Sequence, residues 1–143
     1  MFDSLNLKYV LDKGAYAPER AHKDDAGIDL RTPERVVIRK GESVSIDTGV
    51  HVQIPKGWFG KLESKSGLNV KSGIVSLGGV IDSGYTGSIV VKLYNFGGNY
   101  HVFEAGDKIV QMVVQPCFTG DLIEVDELSK TERGSGGFGS TGK

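Results

Sequence analysis

The chain reads as an all-β domain, and three observations predict that class. Apolar and polar residues alternate over short windows, which is the period of a half-buried strand. Turn signals recur roughly every ten residues, the pattern of a sandwich or barrel. Glycine occurs 21 times in 143 residues. It is costly inside helices and strands, so this many implies tight turns or backbone that meets a ligand, and disfavours a helical bundle.

In chain order, Leu5, Leu7, Tyr9 and Leu11 alternate with polar or small partners as a half-buried strand. Residues 12–27 read as loop, with Gly14, Pro18 and the charged run His22-Lys23-Asp24-Asp25. Ala26-Gly27-Ile28-Asp29-Leu30 ends that loop in a short strand. Val36 and Ile38 give the next strand. Val44 with Ile46, then Val50, Val52 and Ile54, give two more around Gly49. Pro55-Lys56-Gly57 turns into a strand from Trp58 to Leu62, and Ser64-Lys65-Ser66-Gly67 opens a single helical turn. Ile89 to Phe96 and Ile109 to Val114 are strands, separated by turns at Gly97-Gly98-Asn99 and Ala105-Gly106-Asp107. Ile123 and Val125 alternate in a last strand. No window sustains the spacing of a long amphipathic helix.

Length and charge bound the function. A chain of 143 residues is one domain by expectation, large enough for a core. A net charge of −1 gives no support for a nucleic-acid or membrane surface held by bulk electrostatics. Cys117 is the single cysteine, which excludes an intrachain disulfide and fits a reducing cytoplasm. Met1 precedes the polar Asp3 and Ser4 rather than a leader-like run, and no apolar stretch reaches the ~18 residues of a membrane span, so a soluble protein is expected. His22, His51 and His101 lack metal-ligand spacing and read as solvated or packing residues.

The stretch from Gly78 to Gly87 concentrates candidate chemistry. It sets an isolated carboxylate, Asp82, and a ring, Tyr85, among glycines that allow a ligand close to the backbone. The apolar run from Ile74 to Ile81 leads in and Ser88 to Leu93 leads out, which puts Asp82 at a strand-to-turn junction. Taken alone, ordinary turn chemistry is the commoner meaning of Asp-Ser-Gly, and Tyr85 reads equally as a cross-strand core tyrosine. After Leu128 the strand pattern stops. Residues 133–142 hold five glycines with Arg133, Phe138, Ser140 and Thr141 threaded between them. Such a tail packs no core of its own; it is a flexible end or an arm that orders on a ligand.

Several separated segments together resemble one family. Ala26-Gly27-Ile28-Asp29-Leu30, Ser64-Lys65-Ser66-Gly67-Leu68, Gly79-Val80-Ile81-Asp82 through Tyr85 and Gly87, Gly106-Asp107-Lys108-Ile109-Val110-Gln111, and Arg133 to Gly142 are similar, in order and spacing, to the five motifs of the homotrimeric dUTP pyrophosphatases (dUTPases). The resemblance implies a jelly-roll-like β-barrel subunit, residues 1–128, with a flexible glycine-rich arm, residues 129–143, that completes a neighbouring subunit's site. It implies a homotrimer with sites at subunit interfaces, since the monomeric relatives are far longer. The implied reaction is hydrolysis of dUTP to dUMP and pyrophosphate, with Mg²⁺ on the triphosphate and Asp82 as the base that activates water. The implied substrate-binding residues are Lys65, Ser66, Gly67, Gly79, Val80, Tyr85, Lys92 and Gln111, with Arg133, Phe138, Gly139, Ser140 and Thr141 from the arm. The resemblance also implies that Asp29 contacts waters of the metal shell or supports the neighbouring subunit, whereas a lone aspartate at a strand start reads more often as a turn residue.

The chain departs from the family's commonest pattern at four positions. Lys65 replaces the usual arginine and Ser64 the usual proline, while Gly84 and Asn69 stand where acidic and small apolar residues are common. Lysine offers a point charge rather than a planar fork, which bears on phosphate affinity more than on reaction type. Two other readings stand beside the enzyme: a dCTP deaminase or bifunctional relative, which would use a glutamate base and lack the aromatic arm, and a nucleotide-switched module that binds a regulatory protein partner. Cytoplasmic location is expected, or host-cell cytoplasm for a viral chain.

Overall fold

The chain crosses between sheets at every connection. The computed structural model describes residues 5–142; Met1, Phe2, Asp3, Ser4 and Lys143 lie outside the described residues. In order, the elements are β1 (Lys8–Leu11), β2 (Gly27–Arg31), β3 (Val36–Ile38), β4 (Ser43–Gln53), β5 (Trp58–Glu63), α1 (Ser66–Ser72), β6 (Ile74–Ser76), β7 (Val80–Ile81), β8 (Ser88–Asn95), β9 (His101–Phe103) and β10 (Lys108–Pro116). One four-stranded sheet runs β1-β4-β8-β6, a second runs β2-β10-β5-β7, and β3 pairs with β9 in a two-stranded ribbon. All pairs are antiparallel, and no two consecutive strands pair with each other. The architecture is all-β, the class that the alternation predicts, and it agrees with the jelly-roll-like subunit that the resemblance implies.

A single apolar cluster draws on both sheets. Ile46, Val50, Ile89, Val91 and Leu93 enter it from one sheet, and Ile28, Leu30, Leu62, Val110 and Met112 from the other. In β8 the alternation is strict: Ile89, Val91, Leu93 and Asn95 point in, while Val90 and Lys92 point out. Each fully buried Val, Leu or Ile contributes about 1.5–3 kcal/mol.

Four expectations are corrected, and one strand, β9, was not foreseen. The strands expected on either side of Gly49 are one strand, β4, with a register shift between Asp47 and His51. Gly49 takes φ 67°, and the Thr48 hydroxyl donates to the Ile89 carbonyl at 2.7 Å while accepting the Val50 N–H, so a bulge bends the strand without ending it. The helix is two turns rather than one, closed by Gly73 in the left-handed region. The strand β9 carries too few residues for a periodic signal, yet it buries Phe103 against the core. Strand β1 is exposed along its whole length rather than half-buried; Leu7, just before it, is the residue that packs inward. Ile123 and Val125 form no strand and are exposed with Phe118, Leu122 and Leu128. Alternation gives a segment the capacity to pair, but a strand also needs an edge to pair with, and none within this chain receives it.

Candidate active site

The central stretch is fixed from both sides. Strand β7 pairs with β5, Ile81 opposite Gly60 and Val80 opposite Lys61. Gly79 precedes it at φ 126°, its carbonyl accepting the Leu62 N–H at 3.0 Å. A side chain at Gly79 would meet Leu62 Cδ1 at 2.7 Å, so only glycine brings the backbone this close to β5. Asp82 follows directly, solvent-exposed, and its carbonyl accepts the Tyr85 N–H at 3.0 Å to close the turn. Tyr85 donates its hydroxyl to the Ser88 carbonyl at 2.7 Å and lays its ring over Gly87. It is therefore a half-exposed ring held rigid by its own polar end, not a core tyrosine. Val80 is exposed beside it.

A second group gathers where β2, β10 and β5 meet. Gln111 of β10 stands opposite both Asp29 of β2 and Glu63 of β5. Its side-chain amide donates to the Ser64 carbonyl at 3.0 Å and lies over Gly27. Asp29 is buried in mid-strand, not a turn residue, and both of its oxygens are engaged: Lys65 donates to Oδ1, and Lys108 lies 3.1 Å from Oδ2. Burial pushes its carboxyl up, but the hydrogen bonds and charges of the two lysines outweigh this and hold it below the ordinary aspartate value. Ser66 and Gly67 begin α1, exposed. Lys108 is the residue that sequence reasoning missed here, although it lies inside one of the quoted motifs.

Within one chain the two groups are not adjacent. Asp82 lies beyond the Gly60 end of the β5–β7 pairing, whereas Lys65 follows Glu63 at the other end of β5. Five residues of strand from Gly60 to Lys65 span roughly 16 Å. Lys92 stands on the outer face of β8 opposite Ser45. The arm is a series of small turns: Arg133 Nε donates to the Gly136 carbonyl at 2.8 Å and Ser140 N–H to the Gly137 carbonyl at 3.1 Å. Gly139, Ser140 and Thr141 are exposed. Phe138 is fully exposed, with φ 53° in the left-handed region. A non-glycine residue pays strain to sit there, and such strain concentrates at ligand clamps.

Among the described residues no three His, Cys, Asp or Glu side chains cluster to hold a metal ion. His101 packs on Phe103, ring centroids 4.5 Å apart, and burial holds its pKa below the ordinary histidine value. His22 pairs with Asp25 at 3.0 Å. His51 differs from both. Its Nδ1 donates to the Thr86 carbonyl at 2.8 Å and its Nε2 lies 3.0 Å from Asp12 Oδ1. A solvated or packing role does not describe it, and only the fold, which brings Asp12 and Thr86 to the same ring, reveals this.

Residues 13–142 match the family model for dUTPase. The chain is 43% identical over 141 residues to the deoxyuridine 5'-triphosphate nucleotidohydrolase of Clostridium acetobutylicum, covering 96% of this chain and 97% of that protein. Its fold superimposes on the Staphylococcus bacteriophage 80alpha dUTPase solved with dUPNHPP, at TM-score 0.90 and 34% identity, over 96% of this chain and 99% of the other. It also matches a dUTPase variant from phage phi11 of S. aureus, solved to describe coordination of a structural Mg(II) ion, at TM-score 0.80, 32% identity, and 86% and 98% coverage. The site is that of an all-β nucleotide hydrolase. The chain belongs to the dUTPase family.

Proposed function

We infer that the protein is a dUTP nucleotidohydrolase, an enzyme that splits dUTP into dUMP and pyrophosphate. The reaction keeps uracil out of DNA and supplies dUMP for thymidylate synthesis. Family membership and relatives similar along nearly the whole chain support this activity.

The observation that carries the mechanism is the position of Asp82: exposed at the end of β7, in a turn that also fixes Tyr85. Asp82 orients a water and takes its proton as the oxygen attacks the α-phosphorus. A general base contributes ~10² to 10⁴ in rate, while enzymes accelerate such reactions by at least ~10⁶. Most of the barrier lowering therefore falls to charge neutralisation and positioning by Lys65, Ser66, Gly67, Gln111, Lys92, Arg133, Ser140 and Thr141. The Tyr85 ring packs on the deoxyribose and leaves no room for a 2′-hydroxyl. Backbone groups of Gly79 and Val80 read the uracil edge, and Phe138 with Gly139 covers the base.

Mg²⁺ fits this donor set as an ion carried on the triphosphate, since among the described residues no carboxylate cluster is present and the two lysines occupy Asp29. It supplies charge neutralisation across the phosphates when bound. A water-mediated contact from Asp29 is correspondingly secondary to its pairing with the lysines.

The separation of Asp82 from Lys65 along β5, and the exposed apolar segment from Phe118 to Leu128, favour a homotrimer in which sites form between subunits. On this reading the domain division is 1–128 and an arm 129–143 that reaches a neighbour, the described strands running from Lys8 to Pro116. A reducing cytoplasm, or that of a host cell, suits the free Cys117. Pyrophosphate release with Mg²⁺, assayed on dUTP, UTP, dCTP and dTTP in parallel, tests substrate and selectivity together. Release confined to dUTP is expected; ammonia from dCTP would replace this reading with a deaminase.

A further inference from the structure

Both ring nitrogens of His51 face acceptors. Thr86 offers a carbonyl at 2.8 Å to Nδ1, and Asp12 a carboxylate oxygen at 3.0 Å to Nε2. A neutral imidazole has one N–H, so only the imidazolium satisfies both. The two partners belong to different elements: Asp12 lies just after β1, and Thr86 lies in the Asp82–Gly87 loop. The bulge at Gly49 aims the ring, because the register shift between Asp47 and His51 brings His51 opposite Ser88, where β8 begins. Asp47 completes the fastening by accepting the Ser88 hydroxyl and the Gly49 N–H, the latter at 2.9 Å.

We propose that His51, as an imidazolium braced by Asp12, is a positioning residue for dUTP hydrolysis: it clamps the Thr86 carbonyl to β4 and so holds the loop that carries Asp82 and Tyr85. This rests on the assignment of Asp82 as the base. The loop is otherwise secured by short β7 on one side and by Ser88 on the other, with Asp82, Gly84, Tyr85 and Thr86 exposed between them. The charged groups facing the ring are Asp12 from the β1 side and Asp47 from β4, while Lys8 and Tyr9 line the adjoining open groove of about 580 Å³. The Thr86 carbonyl, then Asp12, hold the imidazole pKa above the ordinary histidine value. As pH rises through that raised value the ring loses one N–H, and a lone pair then meets either the carbonyl or the carboxylate. The clamp is present below that raised value and weakens as pH rises through it.

The test compares kcat and KM for dUTP from about pH 6 to about pH 10 in the wild type, His51→Gln and His51→Arg, with unfolding midpoints as controls. Wild-type kcat is expected to fall on the alkaline side. His51→Gln should lose about tenfold in kcat near neutral pH through misplacement of the base. His51→Arg, which stays charged and has the groove to extend into, should restore kcat without the alkaline fall. Superimposable pH profiles for all three proteins would overturn the clamp. If the variants do not fold, a ¹⁵N NMR titration of the wild-type ring decides: loss of the second N–H at a higher pH than in a free histidine supports the proposal, and loss at the same or a lower pH overturns it. Asp82→Asn is assayed alongside. Surviving turnover there refutes the base assignment, while the alkaline limb and its removal by arginine still judge the clamp.

Discussion

Lys65 places its ammonium on Oδ1 of the buried Asp29, and so joins the start of α1 to the middle of β2. Lys108 takes the other oxygen at 3.1 Å. Replacing Asp29 with Asn leaves two neighbouring ammonium groups without a counter-charge. Breaking a buried pair costs about 3–5 kcal/mol. Both lysines are partly solvated, so a loss of about 1–3 kcal/mol is expected by urea unfolding at neutral pH. The sign with pH follows from the depressed carboxyl. Its stabilisation is present above the unfolded value of about 3.9 and is lost as pH falls through the lower folded value. Wild type and Asp29→Asn should therefore converge in stability in strong acid. A gap that persists there would refute the ion-pair account.

Lys65→Arg probes the same corner from the substrate side. A guanidinium can hold the Asp29 carboxylate and still offer N–H groups to a phosphate, whereas one ammonium divides three donors without a fixed plane. KM for dUTP is expected to fall a few-fold with kcat nearly unchanged. An unchanged KM would mean that Lys65 serves Asp29 alone.

The candidate site was legible in the sequence to the extent that its residues are grouped locally. Asp82, Tyr85 and the arm residues announce themselves because glycines and turn residues flank them within a few positions. The strict alternation of Ile89, Val91 and Leu93 likewise gave β8. What stayed hidden depends on register. Nothing near Asp29 in the chain says that Lys65 and Lys108 will share it, and nothing near His51 says that Asp12 and Thr86 will meet at its ring. The bulge at Gly49 was hidden for a related reason: the inward series Val44, Ile46, Val50 and Val52 keeps one phase, but the polar Thr48 and Gly49 interrupt it, so a single bent strand carries the signature of two. Ile123 and Val125 failed in the opposite way, since their alternation is real but no edge among the described residues pairs with it.

The arm should contribute binding rather than stability. Phe138 is fully exposed and packs against nothing in the described chain, so Phe138→Ala should leave the unfolding midpoint unchanged. Stacking of a base on an aromatic ring is worth ~1–3 kcal/mol, which corresponds to a KM for dUTP raised roughly 5- to 150-fold. A lowered midpoint would place the ring in the core instead.

Sharing of sites between subunits makes the sharpest prediction. Asp82→Asn alone should keep nucleotide binding and lose at least ~10² of turnover, and a chain ending at Glu132 should fold but lose most activity because Arg133 and Phe138 are gone. If one site takes Asp82 and the arm from different subunits of a cyclic trimer, the two defective proteins complement each other when unfolded together and refolded. In every mixed trimer one site of the three receives an intact Asp82 from a truncated subunit and an intact arm from an Asp82→Asn subunit. Random assembly from equal amounts makes three trimers in four mixed, so about a quarter of wild-type activity should return. Zero recovery, with mixed trimers demonstrated by mass, would mean that each subunit closes its arm over its own Asp82 and that the separation along β5 is bridged within one chain.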